Sequence, residues 1–226
     1  MAIDRDRREW LRHCSARLAA AALAAAGGPA AQAQAQAPRP QRRTLLVVGD
    51  SLSAEYGLAR GSGWVALLQK RLAAEKIDMA VVNASISGDT TAGGRSRLPS
   101  LLAQHRPQWV AIELGGNDAL RGLPLASTQA NLREMARAAK AAGARVLIVG
   151  MQIPPNFGRR YADDFAAMFA GVARSEGAAL VPFLLKGVAD GADPEAMFQA
   201  DRIHPLATAH PAMLDNVWTV LRPLLK

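Results

Sequence analysis

The chain has 226 residues, half of them hydrophobic, 5% aromatic and 20% charged, with a formal net charge of +8 and a single cysteine. That length suits one domain with a full core, and the composition excludes a disordered or collagen-like chain because enough apolar surface can be buried to offset ordering entropy. One cysteine excludes an internal disulfide framework or a Cys-based zinc site, and no run of strong hydrophobes is long enough for a multi-span membrane protein.

Residues 1–37 differ in composition from the rest of the chain. A charged opening (DRDRREWLRH) precedes an alanine-leucine run from Ala16 to Ala26, then Gly27-Gly28-Pro29 and the repeat AAQAQAQA. This is the order of a secretory signal peptide, with small-residue cleavage sites after Ala33, Ala35 or Ala37. Arg7-Arg8 followed by Glu9-Trp10-Leu11-Arg12 approaches a twin-arginine signal, and general secretion stays open beside it. Cleavage would remove Cys14, five arginines and three acids, leaving 22 basic and 16 acidic side chains, or +6. The expected destination is the periplasm or the exterior, with no stable membrane insertion once the signal is gone. Residues 38–43 (PRPQRR) read as an exposed linker, and 44–226 as the domain.

From Thr44 the chain alternates short apolar runs with helical patterns. Leu45–Val48, Met79–Val82, Trp109–Leu114, Arg145–Val149 and Ala179–Val181 are continuous apolar runs of the kind buried on both faces of a parallel sheet. Between them, Ser62 is placed to cap a helix bearing Trp64, Leu67, Leu68 and Leu72. Leu98, Leu101 and Leu102 mark a second helix, with Pro99 near its first turn. Leu125, Leu132, Met135 and Ala139 mark a third, closed by Gly143. Tyr161, Phe165, Met168, Phe169 and Val172 mark a fourth, ending near Gly177, and Met213, Leu214, Val217 and Leu221 mark the last. Repeated strand-helix alternation predicts a three-layer α/β domain around a five-stranded parallel sheet with right-handed connections.

Open parallel sheets bind ligands beyond the carboxyl ends of their strands. After the first strand comes Gly49-Asp50-Ser51-Leu52-Ser53, after the second Ser85-Ile86-Ser87-Gly88-Asp89, and after the third Gly115-Gly116-Asn117-Asp118. The fifth leads on to Asp201-Arg202-Ile203-His204-Pro205. Ser51 follows a glycine that lets the backbone bend at a strand-to-helix turn, which exposes the hydroxyl near backbone N–H groups. Taken alone, a serine that caps the next helix is the simpler account. Ser53, Ser85 and Ser87 lack the Gly-Asp lead-in and read as loop hydrogen-bonders. His204 lies three residues after Asp201, so on one helical turn the acid can hold one imidazole nitrogen while the other faces a nucleophile. Pro205 favours an extended backbone at His204. An Asp-x-x-His with no task is the simpler account of that motif alone. His105 reads as solvated and His210 as the start of the last helix. Gly88, with an approachable N–H, and Asn117, with an uncharged amide donor, are candidate oxyanion stabilisers, or else a turn glycine and an Asx-turn asparagine. Asp50 and Asp118 are expected to bind backbone N–H groups in their own turns.

In combination, GDSLS from Gly49, SGDTTAGG from Ser87, GGND from Gly115 and DRIHP from Asp201 resemble the ordered blocks of the SGNH (GDSL-type) hydrolases. NASISGDTTAGG, RLPSLLAQHRPQWVAIELGGND and PPNFGRRY are similar to the secreted thioesterase, lysophospholipase and arylesterase branch, over residues 44–225. The resemblance implies Ser51 as nucleophile, Asp201 and His204 completing a triad, and the Ser51 N–H, Gly88 and Asn117 as oxyanion hole. It also implies a flavodoxin-like three-layer fold and no cofactor or metal. Glu55 and Arg202 depart from that branch, which often has glycine at both positions.

The expected reaction is hydrolysis of carboxylic esters or thioesters through an acyl-enzyme, with lysophospholipid among the candidate substrates. Leu120, Leu123, Ile153, Pro154 and Phe157, on loops predicted beside Asn117, are expected to line an acyl groove. A carbohydrate acetylesterase of the same fold and a non-catalytic phosphate- or nucleotide-binding protein are the alternatives. SGDTTAGG lacks the order of either common phosphate-binding glycine motif. No nucleic-acid partner is expected, because the basic residues are scattered without aromatic interleaving, and a monomer is expected. Anionic lipid headgroups are the remaining use for the positive charge.

Overall fold

The structure, a computed structural model, describes residues 43–153 and 155–225. The expected signal peptide, residues 38–42 of the expected linker, and Pro154 lie outside the described residues. Arg43, the last residue of that linker, already belongs to the first strand.

Five strands form one parallel sheet: β1 (Arg43–Gly49), β2 (Met79–Asn83), β3 (Trp109–Glu113), β4 (Arg145–Val149) and β5 (Ala179–Val181). Their order is β2-β1-β3-β4-β5. The five runs expected as strands all occur, within two residues at each end. β1 and β3 are the central pair, and Leu45, Leu46, Val47, Val48, Val110 and Ile112 are buried as continuous runs because helices cover both faces. α1 (Trp64–Ala74) packs against α6 (His210–Leu221) on one face. On the other, α2 (Thr91–His105), α4 (Leu125–Ala141) and α5 (Arg159–Glu176) lie side by side, with a short α3 (Gly116–Leu120) between β3 and α4. Among the described residues, no helix is long and apolar enough to cross a membrane.

The strand order sends the chain one way from β1 to β2 and the other way from β1 to β3. The crevice at that reversal lies beyond the carboxyl ends of β1 and β3, where this topology binds ligands. Register sharpens the placement by pairing Gly49 with Glu113 and Val47 with both Asn83 and Ala111.

Two helix starts differ from expectation. Ser62 does not cap α1: its hydroxyl bonds the Ala59 carbonyl, and Gly63 is the cap residue. The N–H groups there are taken by side chains outside the helix's first turn instead. The Glu55 carboxylate accepts from the Gly61 and Gly63 N–H groups, and the His210 ring accepts from the Trp64 N–H. α2 begins eight residues before Pro99, which sits in its interior. Its first turn is disguised by Gly93 and Gly94, residues of low helix propensity. A Cβ at Gly94 would collide with the Leu114 side chain, so the glycine is where the helix closes onto the strand end. Thr90 caps α2, and Asp118 reaches across to accept from the Thr91 N–H and hydroxyl. Asp118 therefore clips α2 to the segment after β3, rather than bracing its own turn.

Gly150, just beyond β4, has the carbonyl oxygens of Pro182 and Val181 at 2.5 and 3.0 Å from where a Cβ would stand. Backbone cannot yield as a side-chain tip can. Gly150→Ala is expected to lower unfolding free energy by about 1–3 kcal/mol. An unchanged urea midpoint would contradict this close approach.

Candidate active site

Asp50 and Ser51 open a run of turns rather than a helix; the first helix starts only at Trp64. The Ala54 N–H bonds the Asp50 carbonyl at 2.9 Å, which curls the segment and leaves Ser51 half-buried at its start. Gly49 contributes space. A Cβ there would meet Glu113 Oε2 and Ser53 Oγ, both at 2.8 Å. Ser53 is no loop filler: its buried hydroxyl donates to Glu113 at 2.7 Å and accepts from the Trp64 indole at 3.2 Å. Ser85 differs from expectation too, because its buried hydroxyl has no partner among the described residues while its N–H binds Asn83.

His204 arrives from 153 residues away, with its Nε2 2.9 Å from Ser51 Oγ. Its Nδ1 is 2.7 Å from Asp201 Oδ2. Asp201 and His204 do not share a helical turn. They belong to a tight turn in which Asp201 Oδ1 accepts the N–H groups of Ile203 and His204, at 2.9 and 3.0 Å. Those backbone donors, with the imidazole, hold the Asp201 carboxyl down at about 2. Arg202, in the middle of the turn, adopts φ 58°, and Glu55 near Ser51 adopts φ 61°, so both non-glycine departures occupy left-handed backbone. Glu55 in return supplies the carboxylate at the start of α1.

The turn is fastened from two sides. The Gln199 amide bonds the carbonyls of Tyr56 and Pro205, joining the His204 segment to the Ser51 segment. The Tyr56 ring lies 4.3 Å from the His204 ring, centroid to centroid. Behind Pro205, His210 is 2% exposed, and its Nδ1 accepts the Trp64 N–H at 3.0 Å. Burial pushes the His210 ring below its usual 6.5, against the opposing pull of Glu55 and the Pro205 carbonyl.

Asn117 sits in the first turn of α3, where its amide donates to Asp50 Oδ2 at 3.0 Å, while Asp50 Oδ1 accepts the Leu52 N–H. Gly88 adopts φ 77° in the turn after β2. That turn is drawn to the Ser51 segment by the Ile86 N–H on the Gly49 carbonyl at 3.0 Å, and to α3 by Arg121 on the Gly88 carbonyl at 2.8 Å. Arg97 spans the same ground, reaching the carbonyls of Ala84 and Gly49 and pairing with Asp89. The three expected oxyanion positions thus lie on segments tied to one another. Leu120, Leu123 and Phe157 are exposed, and Ile153 is half-buried.

Tyr56, His210 and Glu113 were not among the expected site residues. Tyr56 and His210 carry no local signal, since their partners are remote in sequence. Glu113 did carry one: a lone carboxylate inside an apolar strand must find a polar partner.

A hydroxyl, an imidazole and a carboxylate in one hydrogen-bonded line, at the carboxyl edge of a doubly wound sheet, is the arrangement of a hydrolase. The model of the GDSL-like Lipase/Acylhydrolase family matches residues 47–212, and the chain belongs to that family. It is similar to Esterase TesA of Pseudomonas aeruginosa, 57% identical over 183 residues that cover 81% of this chain and 90% of the relative. It is also similar to Thioesterase 1/protease 1/lysophospholipase L1 of Escherichia coli strain K12, 43% identical over 80% of this chain and 85% of the relative. A crystal structure of the psychrotrophic esterase EstA from Pseudoalteromonas sp., inhibited by monoethylphosphonate, superposes with a TM-score of 0.75 at 39% identity, covering 81% of this chain and 98% of that one. The chain is an ester hydrolase of SGNH fold.

His210 generates a prediction. Its folded-state pKa lies below the ordinary 6.5, so as pH falls the unfolded chain takes up a proton that the folded one refuses. The resulting stability is present in full above about 6.5 and declines below it, toward the folded-state value. His210→Gln keeps an acceptor for the Trp64 N–H without titrating. Its melting temperature is expected to depend less on pH than the wild type's, between about pH 7 and pH 5. Equal slopes would contradict the neutral, helix-capping ring.

Proposed function

We propose that the enzyme hydrolyses carboxylic esters and thioesters with apolar acyl chains, using Ser51 as nucleophile, His204 as general base and acid, and Asp201 as the group that orients the imidazole. The observation that carries this reading is the line from Ser51 Oγ to His204 Nε2 at 2.9 Å and from His204 Nδ1 to Asp201 at 2.7 Å. His204 Nε2 takes the hydroxyl proton as Ser51 Oγ attacks the carbonyl carbon, and Asp201 stabilises the imidazolium that forms. The Ser51 and Gly88 N–H groups and the Asn117 amide bind the oxyanion. Collapse expels the alcohol or thiol with the proton from His204, and water then repeats the sequence on the acyl-enzyme. Asp201, near 2, stays charged across the working range of an imidazole base. Every one of these groups comes from a single chain, so one copy suffices.

The acyl preference rests on where the exposed large hydrophobics fall. Tyr56 follows β1, Ile86 follows β2, Leu120 and Leu123 follow β3, Phe157 follows β4, and Ile203 and Leu206 follow β5. Among the described residues all seven lie on segments leaving the carboxyl edge of the sheet, the edge that carries Ser51. Apolar groups gathered beside a polar reacting centre suit an acyl chain or a lysophospholipid. The Escherichia coli relative's name includes both a thioesterase and a lysophospholipase. With the N-terminal export signal, the enzyme would meet such substrates in the periplasm or outside the cell.

Ser51→Ala is expected to abolish hydrolysis of p-nitrophenyl esters, and a serine-reactive phosphonate should add mass at Ser51 and nowhere else. Wild-type turnover in Ser51→Ala would overturn the assignment. Asn117→Ala is expected to fold and to lose ~10²–10³ in turnover. Rates across a series from acetyl to dodecanoyl esters should change with chain length; a flat profile would remove the acyl-groove reading, and a sharp acetyl preference would favour a carbohydrate acetylesterase.

A further inference from the structure

Beneath the Ser51 turn lies a buried acid that takes no part in the acyl transfer. Glu113 ends β3 and is 0% exposed, after four apolar residues of the same strand. Its Oε2 accepts the Ser53 hydroxyl at 2.7 Å and the Asp50 N–H at 3.4 Å, while Oε1 has no hydrogen-bond donor among the described residues. Asp50 is also buried, and its backbone N–H on Glu113 Oε2 brings the two acids together at the end of the central strand pair. Two carboxylates in one dry site cannot both be charged, so the pair holds one proton between them.

The partners decide which acid carries it. Asp50 receives two good donors, the Leu52 N–H at 3.0 Å and the Asn117 amide at 3.0 Å. Glu113 receives one hydroxyl and one long N–H contact. Hydrogen bonds to the charged form favour that form, so Asp50 keeps the charge and Glu113 the proton. Burial and the neighbouring Asp50 charge push Glu113 well above the usual carboxylate range, while Asp50 rises to about 6.

We propose that Glu113 is a positioning residue: its protonated carboxyl donates to the Asp50 carboxylate and holds it as the acceptor that aims the Asn117 amide at the oxyanion. The inference rests on reading Asn117 as an oxyanion donor. An amide nitrogen carries two hydrogens, and binding one to Asp50 fixes the plane in which the other points. A charged acceptor makes that bond stronger and more directional than a neutral one. An acid that kept its proton yet lost Asp50 would leave the Asn117 amide free to rotate away from the reacting carbonyl.

The infrared spectrum of the full chain at neutral pH should contain the carbonyl band of a protonated carboxyl, absent from Glu113→Gln. Glu113→Leu is expected to lower kcat roughly tenfold, inside the ~10²–10³ that losing the donor itself costs, with KM little changed. Glu113→Gln, whose amide can still donate to Asp50, should restore most of that kcat. In an Asn117→Ala background, Glu113→Leu should have almost no further effect, because both changes remove one interaction. Should Glu113→Leu fail to fold, Asp50→Asn takes its place in the same cycle. Absence of the acid band in the wild type, or an undiminished effect in the Asn117→Ala background, would overturn the inference. The two failures are separable: Asn117→Ala with wild-type turnover overturns the oxyanion reading, whereas an impaired Asn117→Ala in which Glu113→Leu keeps its full effect overturns only the role of Glu113.

Discussion

The hydrogen bond from the Asn117 amide to Asp50 joins the segments that leave the two central strands, and much of the site is arranged around it. β1 and β3 run side by side because each is apolar enough to be covered on both faces, and their register brings Gly49 level with Glu113. At that level the core turns polar within a single residue. Asp50, Ser53, Glu113 and the Trp64 indole are then linked by hydrogen bonds in a buried space, where a polar group left unpaired costs more than on the surface. Gly49 is needed because that cluster fills the volume a Cβ would take. The Ser51 turn is built on top of it, so its backbone inherits the rigidity of the cluster.

The His204 side of the site is made differently. Here a long excursion after β5 returns to the Ser51 segment and is fixed by few contacts: Gln199 on two carbonyls, the Tyr56 ring, and the packing of α6 behind Pro205. Two residues close to it hold left-handed backbone that side chains other than glycine adopt at a cost of about 1–2 kcal/mol. For Glu55 that cost is offset by the carboxylate it places over the N–H groups of Gly61 and Gly63. Strain of this kind persists where surrounding contacts over-determine a conformation, and here it lies near both Ser51 and His204.

The surface above the site completes the division of labour. Burial and pairing belong to the polar groups below Ser51, while the large apolar side chains left in solvent lie on the segments above. At its carboxyl edge the scaffold thus keeps a polar cluster buried and large apolar side chains exposed, the distribution on which the proposed acyl preference rests.

The strands, four of the helices and the order of the chemical blocks could be read from the sequence, because periodicity and apolar continuity are local properties. Ser51, His204 and Asp201 were legible for the same reason, as short motifs with fixed spacing. The start of α2 was not, since Gly93 and Gly94 weaken the local helix signal and only the approach of Leu114 accounts for Gly94. Nor was the conformation of the Asp201–His204 turn, which has the spacing of a helix but depends on a left-handed Arg202. His210, the partners of Glu113 and the hold of Asp50 on Asn117 became visible only in three dimensions. Each is defined by a partner 60 or more residues away, and register between strands, not spacing along the chain, sets such distances. By itself the sequence determined which residue types could perform the chemistry and at which edge of the sheet. Only the tertiary structure decided which of them meet and which carboxyl groups are deprived of water, because desolvation and hydrogen-bond geometry are properties of packed neighbours.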